Sequence, residues 1–274
     1  MTPDSIRLQI VAIQQLVLHE ETEPGRVAQL QSQLQQSGIV RNPPIAAPLE
    51  EGTFIVLDGA TRITALRQLG ISAVPVQLVD YPGPQVQVRT WCHFLPGWTL
   101  PLFQRVATQA GFTTLLSQWP QAQELLADHT AVACAFDQNG EALVLPPASL
   151  CPSLSSALQA LVRGYSHPYP FQRVAWEEIQ ELAQHGIYQD GIYVAFAPFT
   201  PEEIRALALR GELLPAGVTR HTIAGRLLRA NIPLMLLQSG PAEAKNQLFQ
   251  RWWHNRLRTH RLRYYPEPTF VFDD

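Results

Sequence analysis

Short apolar runs predict three strands in the first ninety residues. The runs extend from Leu8 to Ile13, from Phe54 to Leu57 and from Val74 to Val79. Each run is shorter than a typical helix and is bounded by polar or turn-forming residues, which favours buried strands. A fourth strand is expected from Gln85 to Thr90, after the turn-forming sequence Tyr81-Pro82-Gly83-Pro84.

A helix is predicted between the first two runs, from about Glu23 to Ser37. Its apolar residues recur at helical spacing on one face: Val27, Leu30 and Leu34. Pro24 suits the first helical position, and Gly38 suits the position just past the end. The region therefore alternates strand, helix and strand, as α/β units do.

The sequence from Thr53 to Gly70 predicts a strand, a sharp turn and a helix without interruption. Asp58-Gly59 is a turn signal, and Gly70 stands where a helix often ends. The apolar positions of the helix are Ile63, Leu66 and Leu69. The start of such a helix offers N–H donors and a positive dipole end to an anion, and Arg62 would add a guanidinium that can grip phosphate. The alternative is a plain connection with a surface arginine.

The later sequence mixes both kinds of element. Residues 130–136 and 141–145 predict a hairpin around Asn139-Gly140, because Asn-Gly favours tight hairpin turns. Thr200 and Glu203 have the spacing of a capping box at a helix start. A further strand is expected over 192–196, and further helices over 93–127, 154–162, 173–185, 225–230 and 242–253.

Composition narrows the classes of protein. The 274 residues are 46% hydrophobic, enough for a sizeable core, and they carry a net charge of −3 with an isoelectric point near 6.2. Such a chain has no global basic field that would attract nucleic acid. Lys245 is its only lysine, which excludes a Walker A loop because that loop ends in Gly-Lys-Ser/Thr.

Cysteine usage and the amino-terminal sequence favour the cytoplasm. Cys92, Cys134 and Cys151 are odd in number and lack the spacing of a zinc site, so reduced thiols are the simplest interpretation. Residues 1–9 lack a basic region before an apolar core, so we expect no signal peptide. We also expect no membrane span, because no apolar run is long enough.

Several motifs occur in an order that is typical of one family. They are His19-Glu20-Glu21, Asn42-Pro43-Pro44, Asp58-Gly59-Ala60-Thr61-Arg62, Trp91-Cys92-His93, and Thr219-Arg220-His221 followed by Arg226. Over residues 10 to 235 the chain resembles the free L-serine kinases of the ParB/sulfiredoxin fold. ParB partition proteins lack the Thr-Arg-His segment and carry Gly-Glu-Arg-Arg where this chain has Gly59 to Arg62. That difference argues against their CTP clamp and DNA loading.

The resemblance implies an α+β protein with two domains. Residues 1–90 would form a ParB/sulfiredoxin-like nucleotide-binding domain, and residues 91–274 a mixed α/β substrate-binding domain. The implied reaction is phosphorylation of free L-serine to O-phospho-L-serine with ATP or ADP and Mg²⁺, in siderophore or cysteine biosynthesis. Its partners would be L-serine and a nucleotide.

The resemblance also assigns roles around the phosphates. Glu20 would be the general base that takes the proton of the serine hydroxyl, although an exposed glutamate in an acidic run is the commoner case. Asp58 would hold Mg²⁺ through water or orient the acceptor hydroxyl; the alternative is an aspartate needed only for its turn. The implied phosphate cradle consists of Gly59, Ala60, Thr61 and Arg62.

The implied substrate-binding residues are Asn42, Trp91, His93, Thr219, Arg220 and His221. Arg220 and Thr219, with the start of a following helix, would hold the serine carboxylate, and His221 the carboxylate or the phosphate. Trp91 and His93 would share one face of a strand, with Trp91 enclosing serine. The alternatives are a helix cap at Thr219 and a core tryptophan.

A second function remains open from the sequence. The segment 251–263 carries arginines among aromatic residues, as some nucleic-acid-binding segments do, and some members of the serine-kinase group act as DNA-binding regulators. The arginines are Arg251, Arg256, Arg258, Arg261 and Arg263. The alternative is therefore a ParB-like nucleotide-sensing DNA-binding regulator, less favoured because the chain is net acidic. A docked terminal helix with an arginine face also fits the segment, and a kinase for another small hydroxyl compound is the third candidate.

Overall fold

The computed structural model describes residues 6–148, 153–166, 171–184, 190–238, 242–259 and 262–264. By residue contacts the chain divides into two compact units. The first consists of residues 1–18, 22–86 and 223–274, and the second of residues 19–21 and 87–222. Each unit is therefore assembled from segments that are distant in sequence.

The first unit combines a mixed sheet with four helices among its described residues. Its strands are β1 (Arg7–Ala12), β2 (Leu16–Val17), β3 (Ile39–Val40), β4 (Ile45–Pro48), β5 (Phe54–Asp58), β6 (Ala73–Leu78) and, late in the chain, β15 (Ile232–Pro233). Its helices are α1 (Pro24–Ser37), α2 (Ala60–Gln68), α8 (Met235–Gln238) and α9 (Ala242–Arg258).

Five strands form the main sheet of the first unit, in the order β1-β6-β4-β5-β2. β1 runs antiparallel to β6, with Val11 opposite Val74, and β4 runs antiparallel to β5. The pairs β4–β6 and β2–β5 are parallel. β3 pairs separately with β15, so residues near position 232 join the amino-terminal unit.

The helices of the first unit bury the faces that their apolar spacing predicts. Ile63 and Leu66 of α2 are fully buried, and Gly38 ends α1 in the left-handed conformation with φ of +64°. Phe249 and Trp253 of α9 lie in the same core as β1. Because of this packing, residues 223–274 belong by their contacts to the first unit. The family resemblance had implied that they belong to the second domain.

The second unit is built on an antiparallel sheet. Its strands are β7 (Val86–Thr90), β8 (Cys92–Pro96), β9 (Leu115–Gln118), β10 (Ala133–Asp137), β11 (Glu141–Leu145), β12 (Gln172–Val174), β13 (Gly191–Phe196) and β14 (Thr219–Ile223), with Val86 and Ile223 at the boundary. Its helices are α3 (Leu100–Gln109), α4 (Trp119–Ala127), α5 (Leu154–Ser166), α6 (Trp176–Gln184) and α7 (Pro201–Leu209). Six strands follow the order β12-β8-β13-β10-β11-β9, and β14 pairs separately with β7.

Three of the secondary-structure predictions are wrong. The predicted helix over 93–127 is instead β8, α3, β9 and α4. Cys92 to Leu95 are all buried, because Cys92 and Phe94 share a core with α4 and His93 contacts α5. Both faces of β8 are therefore covered, so its sequence shows no alternation. Residues 225–230 are not helical, and 219–221 begin β14 rather than preceding a helix. The helix predicted from residue 173 starts at Trp176, and its predicted end at residue 185 lies outside the described residues.

Local signals with a strong physical basis are confirmed. β10 and β11 form the predicted hairpin around Asn139-Gly140. Thr200 accepts a hydrogen bond from the backbone N–H of Glu203, whose side chain bonds back to Thr200, as a capping box requires. Within the described ranges, no helix combines the length and the apolar character needed to cross a bilayer.

Candidate functional site

The turn between β5 and α2 requires a glycine. Gly59 precedes α2 with φ of +102°, in the left-handed region that favours glycine. A Cβ at this position would lie 3.0 Å from the Cβ of Pro44 and 3.1 Å from the Cζ of Arg62. Among the described residues no side chain caps α2, so the N–H groups of its first turn, Ala60 to Arg62, remain for an anion.

Arg62 ties this turn to the chain before β4. Its Nη1 donates to the backbone oxygens of Asn42 and Pro43, both at 2.9 Å, and its Nη2 donates to Oδ2 of Asp58. The side chain is 19% exposed. The guanidinium therefore supports the backbone of the turn from within.

Asp58, the last residue of β5, accepts from two arginines. Besides Arg62, Arg226 donates from Nη2 to Oδ2 of Asp58 at 2.5 Å. Burial raises the pKa of Asp58, but the two guanidiniums outweigh burial and hold the pKa below its ordinary value of 3.8. Two cations around one carboxylate leave a positive charge, which favours phosphate at this turn.

Gln77 fixes the loop that carries Arg226. This residue of β6 is 4% exposed. Its Nε2 donates to the backbone oxygen of Gly225 at 2.9 Å, and its Oε1 accepts from the backbone N–H of Leu227 at 2.8 Å. Neither Gln77 nor the position of Arg226 was predicted from the sequence. A glutamine within an otherwise apolar strand is the signal that would have indicated such a contact.

Asn42 joins the same loop to Arg62. Its backbone oxygen accepts from Arg62, and its Oδ1 accepts from the backbone N–H of Arg229 at 2.7 Å. Arg229 has φ of +51°, which non-glycine residues adopt rarely. Asn42, predicted to bind substrate, thus has a supporting place in the first unit.

In the second unit, the chain around Glu20 is bound to the segment after α7. The backbone N–H of Glu21 donates to the oxygen of Leu214 at 2.8 Å, and the N–H of Leu214 donates to the oxygen of His19 at 2.8 Å. These bonds fix the backbone on both sides of Glu20. An ion pair between Glu21 and Arg163 of α5 adds to them.

The Glu20 carboxylate is held chiefly through one oxygen. Oε1 accepts from the backbone N–H of Thr219 at 2.7 Å and from the Thr219 hydroxyl. From the described residues, Oε2 receives a single long bond, at 3.4 Å, from the backbone N–H of Gly217. The arrangement orients the carboxylate and leaves Oε2 the less engaged of the two oxygens.

Two histidines lie beside this carboxylate. Nε2 of His19 lies 3.0 Å from Oγ1 of Thr219, and the rings of His19 and His221 meet edge to face with centroids 5.2 Å apart. His19 is 4% exposed, whereas His221 is half-buried. The structure therefore brings Glu20, Thr219 and His221 together, as predicted for the site, and adds His19.

Arg220 lies over an aromatic ring. Its Cζ is 4.5 Å from the ring centroid of Trp91, and its Nη1 is 3.5 Å from Oε2 of Glu177 in α6. Glu177 also pairs with Arg89. The pKa of Arg220 is lowered, first by burial and then by the charge of Arg89. The charge of Glu178 opposes both effects. Two guanidiniums therefore share the Glu177 carboxylate with a second carboxylate nearby, and Arg220 can offer a two-bond grip to an anionic group.

His93 is a core residue. It is fully buried, its ring stacks on Phe171 with centroids 3.8 Å apart, and its Nε2 donates to the backbone oxygen of Gly217 at 2.9 Å. Its Nδ1 accepts from the hydroxyl of Tyr165 at 2.6 Å. Burial lowers the pKa of His93 to about 3, so the ring is neutral at neutral pH. Its place is behind the Gly217 turn that contacts Glu20.

Comparison with known proteins finds several that are similar to this chain. No family model matches the chain. The chain is 28% identical over 245 residues to the ATP-dependent L-serine kinase SbnI of Staphylococcus aureus, covering 84% of each protein. It is 26% identical to the ADP-dependent L-serine kinase SerK of Thermococcus kodakarensis, covering 68% of this chain and 75% of that protein.

Solved structures agree with the sequence comparison. A carboxyl-terminally truncated SbnI from Staphylococcus aureus matches with a TM-score of 0.74 and 25% identity, over 91% of this chain and 97% of that one. A free serine kinase in complex with AMP matches with a TM-score of 0.71 and 20% identity, over 85% and 94%. The chain is similar to free L-serine kinases in both sequence and fold. The resemblance seen in the motifs and the α+β fold class are thereby confirmed.

Proposed function

We propose that this protein is a small-molecule kinase that phosphorylates free L-serine to O-phospho-L-serine, with ATP or ADP as the donor. The curated relatives support the enzyme class that the motifs predicted. The observation that carries the proposal is the Glu20 carboxylate, oriented by the backbone and hydroxyl of Thr219 immediately before Arg220. A base and a cation in the same unit suit a substrate with both a hydroxyl and a carboxylate.

The donor phosphates are assigned to the first unit, at the start of α2. Its uncapped N–H groups would bind phosphate oxygens, and the bare Cα of Gly59 would allow a close approach. Arg226 is 36% exposed and bonds Asp58 at one edge of its guanidinium, so it would turn towards a phosphate more readily than Arg62. Thr61 would add a hydroxyl to the same turn.

Asp58 suits a supporting role towards Mg²⁺. Both arginines bond Oδ2, so Oδ1 is the atom that would face a hydrated metal. One carboxylate with water and phosphate oxygens is the set that Mg²⁺ prefers in such sites. The metal would neutralise charge on the phosphates.

Glu20 is assigned the role of general base in the second unit. In the transfer, the serine hydroxyl gives its proton to Oε2 of Glu20 while its oxygen bonds to the terminal phosphorus. The bond from that phosphorus to the bridging oxygen breaks, which releases ADP from ATP or AMP from ADP. Positioning and charge stabilisation supply most of the catalysis in such a reaction.

Arg220 is assigned to the serine carboxylate. Stacking on Trp91 would hold its planar guanidinium in one orientation, which favours a two-bond grip on a carboxylate. Glu177 would then be an internal carboxylate that the substrate replaces at Arg220. His221 would contact the carboxylate or the new phosphate. His93 is better assigned as a positioning residue, because it reaches the site through the backbone of Gly217.

The experiment is incubation with ATP or ADP, Mg²⁺ and a panel of hydroxyl compounds, with detection of phosphorylated products. L-serine should be phosphorylated, and D-serine and L-threonine should be poorer acceptors. Duplex DNA binding, titrated against salt, tests the regulator alternative. Tight and salt-sensitive binding to DNA, without phosphorylation of any acceptor, would favour the regulator over the kinase.

A reducing cytoplasm is the proposed location and agrees with free thiols at Cys92 and Cys134.

A further inference from the structure

Thr219 stands between the proposed base and a buried histidine. Its hydroxyl contacts Oε1 of Glu20 on one side and Nε2 of His19 on the other, the latter at 3.0 Å. Thr219 is 6% exposed and His19 is 4% exposed. The three side chains form a continuous hydrogen-bonded chain that is largely closed to water.

The direction of each hydrogen bond in this chain follows from proton counting. A threonine hydroxyl has one proton and accepts with its lone pairs. The ionised carboxylate of Glu20 accepts only, so the Thr219 proton must be directed at Oε1. The hydroxyl oxygen then accepts from His19, and His19 must carry a proton on Nε2.

We propose that His19 is a positioning residue for phosphoryl transfer, which it assists by holding the Thr219 hydroxyl in the orientation that donates to Glu20. The inference rests on the proposed role of Glu20 as the base. With Oε1 occupied by Thr219, the proton of the acceptor is taken by Oε2. Without the His19 donor, the hydroxyl can rotate and the carboxylate loses its fixed direction.

The surroundings of His19 keep its ring in this orientation. The backbone oxygen of His19 accepts from the N–H of Leu214 at 2.8 Å, and His221 packs edge to face against the ring at a centroid distance of 5.2 Å. A ring placed only for packing would not need its Nε2 within hydrogen-bond distance of Thr219. The chemistry required at position 19 is a donor at the position of Nε2.

Three substitutions at position 19 separate this role from packing. In His19→Gln the amide nitrogen corresponds to Nε2, in His19→Asn it corresponds to Nδ1, and His19→Leu has no donor. We expect His19→Gln to retain most of kcat, and kcat of the Asn and Leu variants to fall about twofold to tenfold, as for a lost hydrogen bond between neutral groups. KM for nucleotide should not change. His254→Leu, an exposed change in α9, is the control and should match the wild type.

A double-mutant cycle tests the path through Thr219. Thr219→Ser keeps the hydroxyl, whereas Thr219→Val keeps the shape and removes it. If His19 acts through that hydroxyl, His19→Leu should lower kcat in the wild type and in Thr219→Ser, and have no further effect in Thr219→Val. Independent, multiplying effects of His19→Leu and Thr219→Val would overturn the inference. So would equal kcat in the Gln, Asn and Leu variants at position 19.

The two proposals fail in different ways. If the wild type phosphorylates serine and Glu20→Gln does not, but His19→Leu retains full kcat, only the role of His19 is lost. If the wild type phosphorylates no acceptor, the kinase proposal fails. The hydrogen-bonded chain is then tested by NMR of the imidazole nitrogens, where a proton on Nε2 of His19 is expected at neutral pH. A ring protonated on Nδ1 alone would contradict the proposed direction.

Discussion

Thr219 donates two hydrogen bonds to Glu20, one from its backbone N–H at 2.7 Å and one from its hydroxyl, across 199 positions of sequence. One residue thus fixes both the place and the orientation of the carboxylate. Both bonds exist before a ligand binds, so little conformational entropy of the Glu20 side chain is lost when the ligand arrives. The Glu20 carboxylate is therefore held in one orientation.

The first prediction concerns this carboxylate. Glu20→Gln keeps the shape of the side chain and removes the base, so turnover of serine should fall by about 10²–10⁴-fold. Nucleotide affinity by calorimetry should be unchanged. Glu21→Gln is the matched control, since Glu21 pairs with Arg163 instead, and it should retain activity. Near-normal turnover in Glu20→Gln would remove Glu20 from the mechanism.

A second prediction concerns the turn before α2. Gly59→Ala places a Cβ against Pro44 and Arg62 and requires a strained backbone at φ of +102°. It should destabilise the protein by about 1–3 kcal/mol and weaken binding of ADP. Gly25→Ala, in α1 with nothing within 4 Å of the added Cβ, should instead stabilise by about 0.5–1 kcal/mol. Thermal melting and calorimetry measure both. Equal effects of the two substitutions would contradict the assigned role of Gly59.

Substituting the two arginines that bond Asp58 should have different effects, one on stability and the other on nucleotide binding. Arg62→Ala removes bonds to the backbone of Asn42 and Pro43, so it should lower stability by about 1–3 kcal/mol and weaken nucleotide binding as a consequence. Arg226→Ala should weaken nucleotide binding about tenfold or more with little change in melting temperature. The control is Arg229→Ala, because Arg229 contacts Asn42 through its backbone. Wild-type nucleotide affinity in Arg226→Ala would show that Arg226 does not bind the phosphates.

Stability should depend on Asp58 in acid. Its folded pKa is lowered below 3.8 by Arg62 and Arg226 against the opposing effect of burial. The ionised form is therefore favoured by folding, and its stabilisation is complete above pH 3.8 and is lost as the pH falls through the folded pKa. The stability difference between wild type and Asp58→Asn in urea should shrink in that range. If the stability difference between wild type and Asp58→Asn grows on acidification, folding raises the pKa of Asp58 and the prediction is wrong.

Arg220 should affect the acceptor alone. Arg220→Ala should raise KM for serine about tenfold to a hundredfold while the affinity for nucleotide is kept. Arg220→Lys should not restore it, because an ammonium lacks the planar stack on Trp91 and the two-bond grip. Arg210→Ala, an exposed change beside Glu212, controls for the loss of a positive charge. If KM for nucleotide rises instead, Arg220 contacts the donor.

Local signals in the sequence were sufficient for much of the fold. The ends of α1, the turn at Gly59, the hairpin at Asn139-Gly140 and the capping box at Thr200 were all predicted, since each depends on a few adjacent residues. Such features are determined by backbone preferences that the local sequence shows directly.

Features set by distant contacts were not predictable. β8 is buried on both faces, so its residues do not alternate between apolar and polar, and its spacing was taken for a helix. Thr219 was expected near a helix start, but pairing with β7 makes it part of a strand. His93 was predicted to bind substrate. Its burial and its hydrogen bond to Gly217 depend on tertiary contacts, which the local sequence does not show. The partner of Glu20 could not be found by reading its neighbours in sequence.

The placement of α9 in the core of the first unit has a consequence for synthesis. Phe249 and Trp253 complete the core around β1, so β1 cannot be fully covered until α9, which follows it by more than two hundred positions, has been synthesised. Residues 87–222 of the second unit emerge earlier and are nearly continuous. On the ribosome, where domains fold as they emerge, the later part of the sequence can therefore consolidate before the earlier part. A nascent chain stopped before α9 should leave the β1 surface uncovered and prone to chaperone capture.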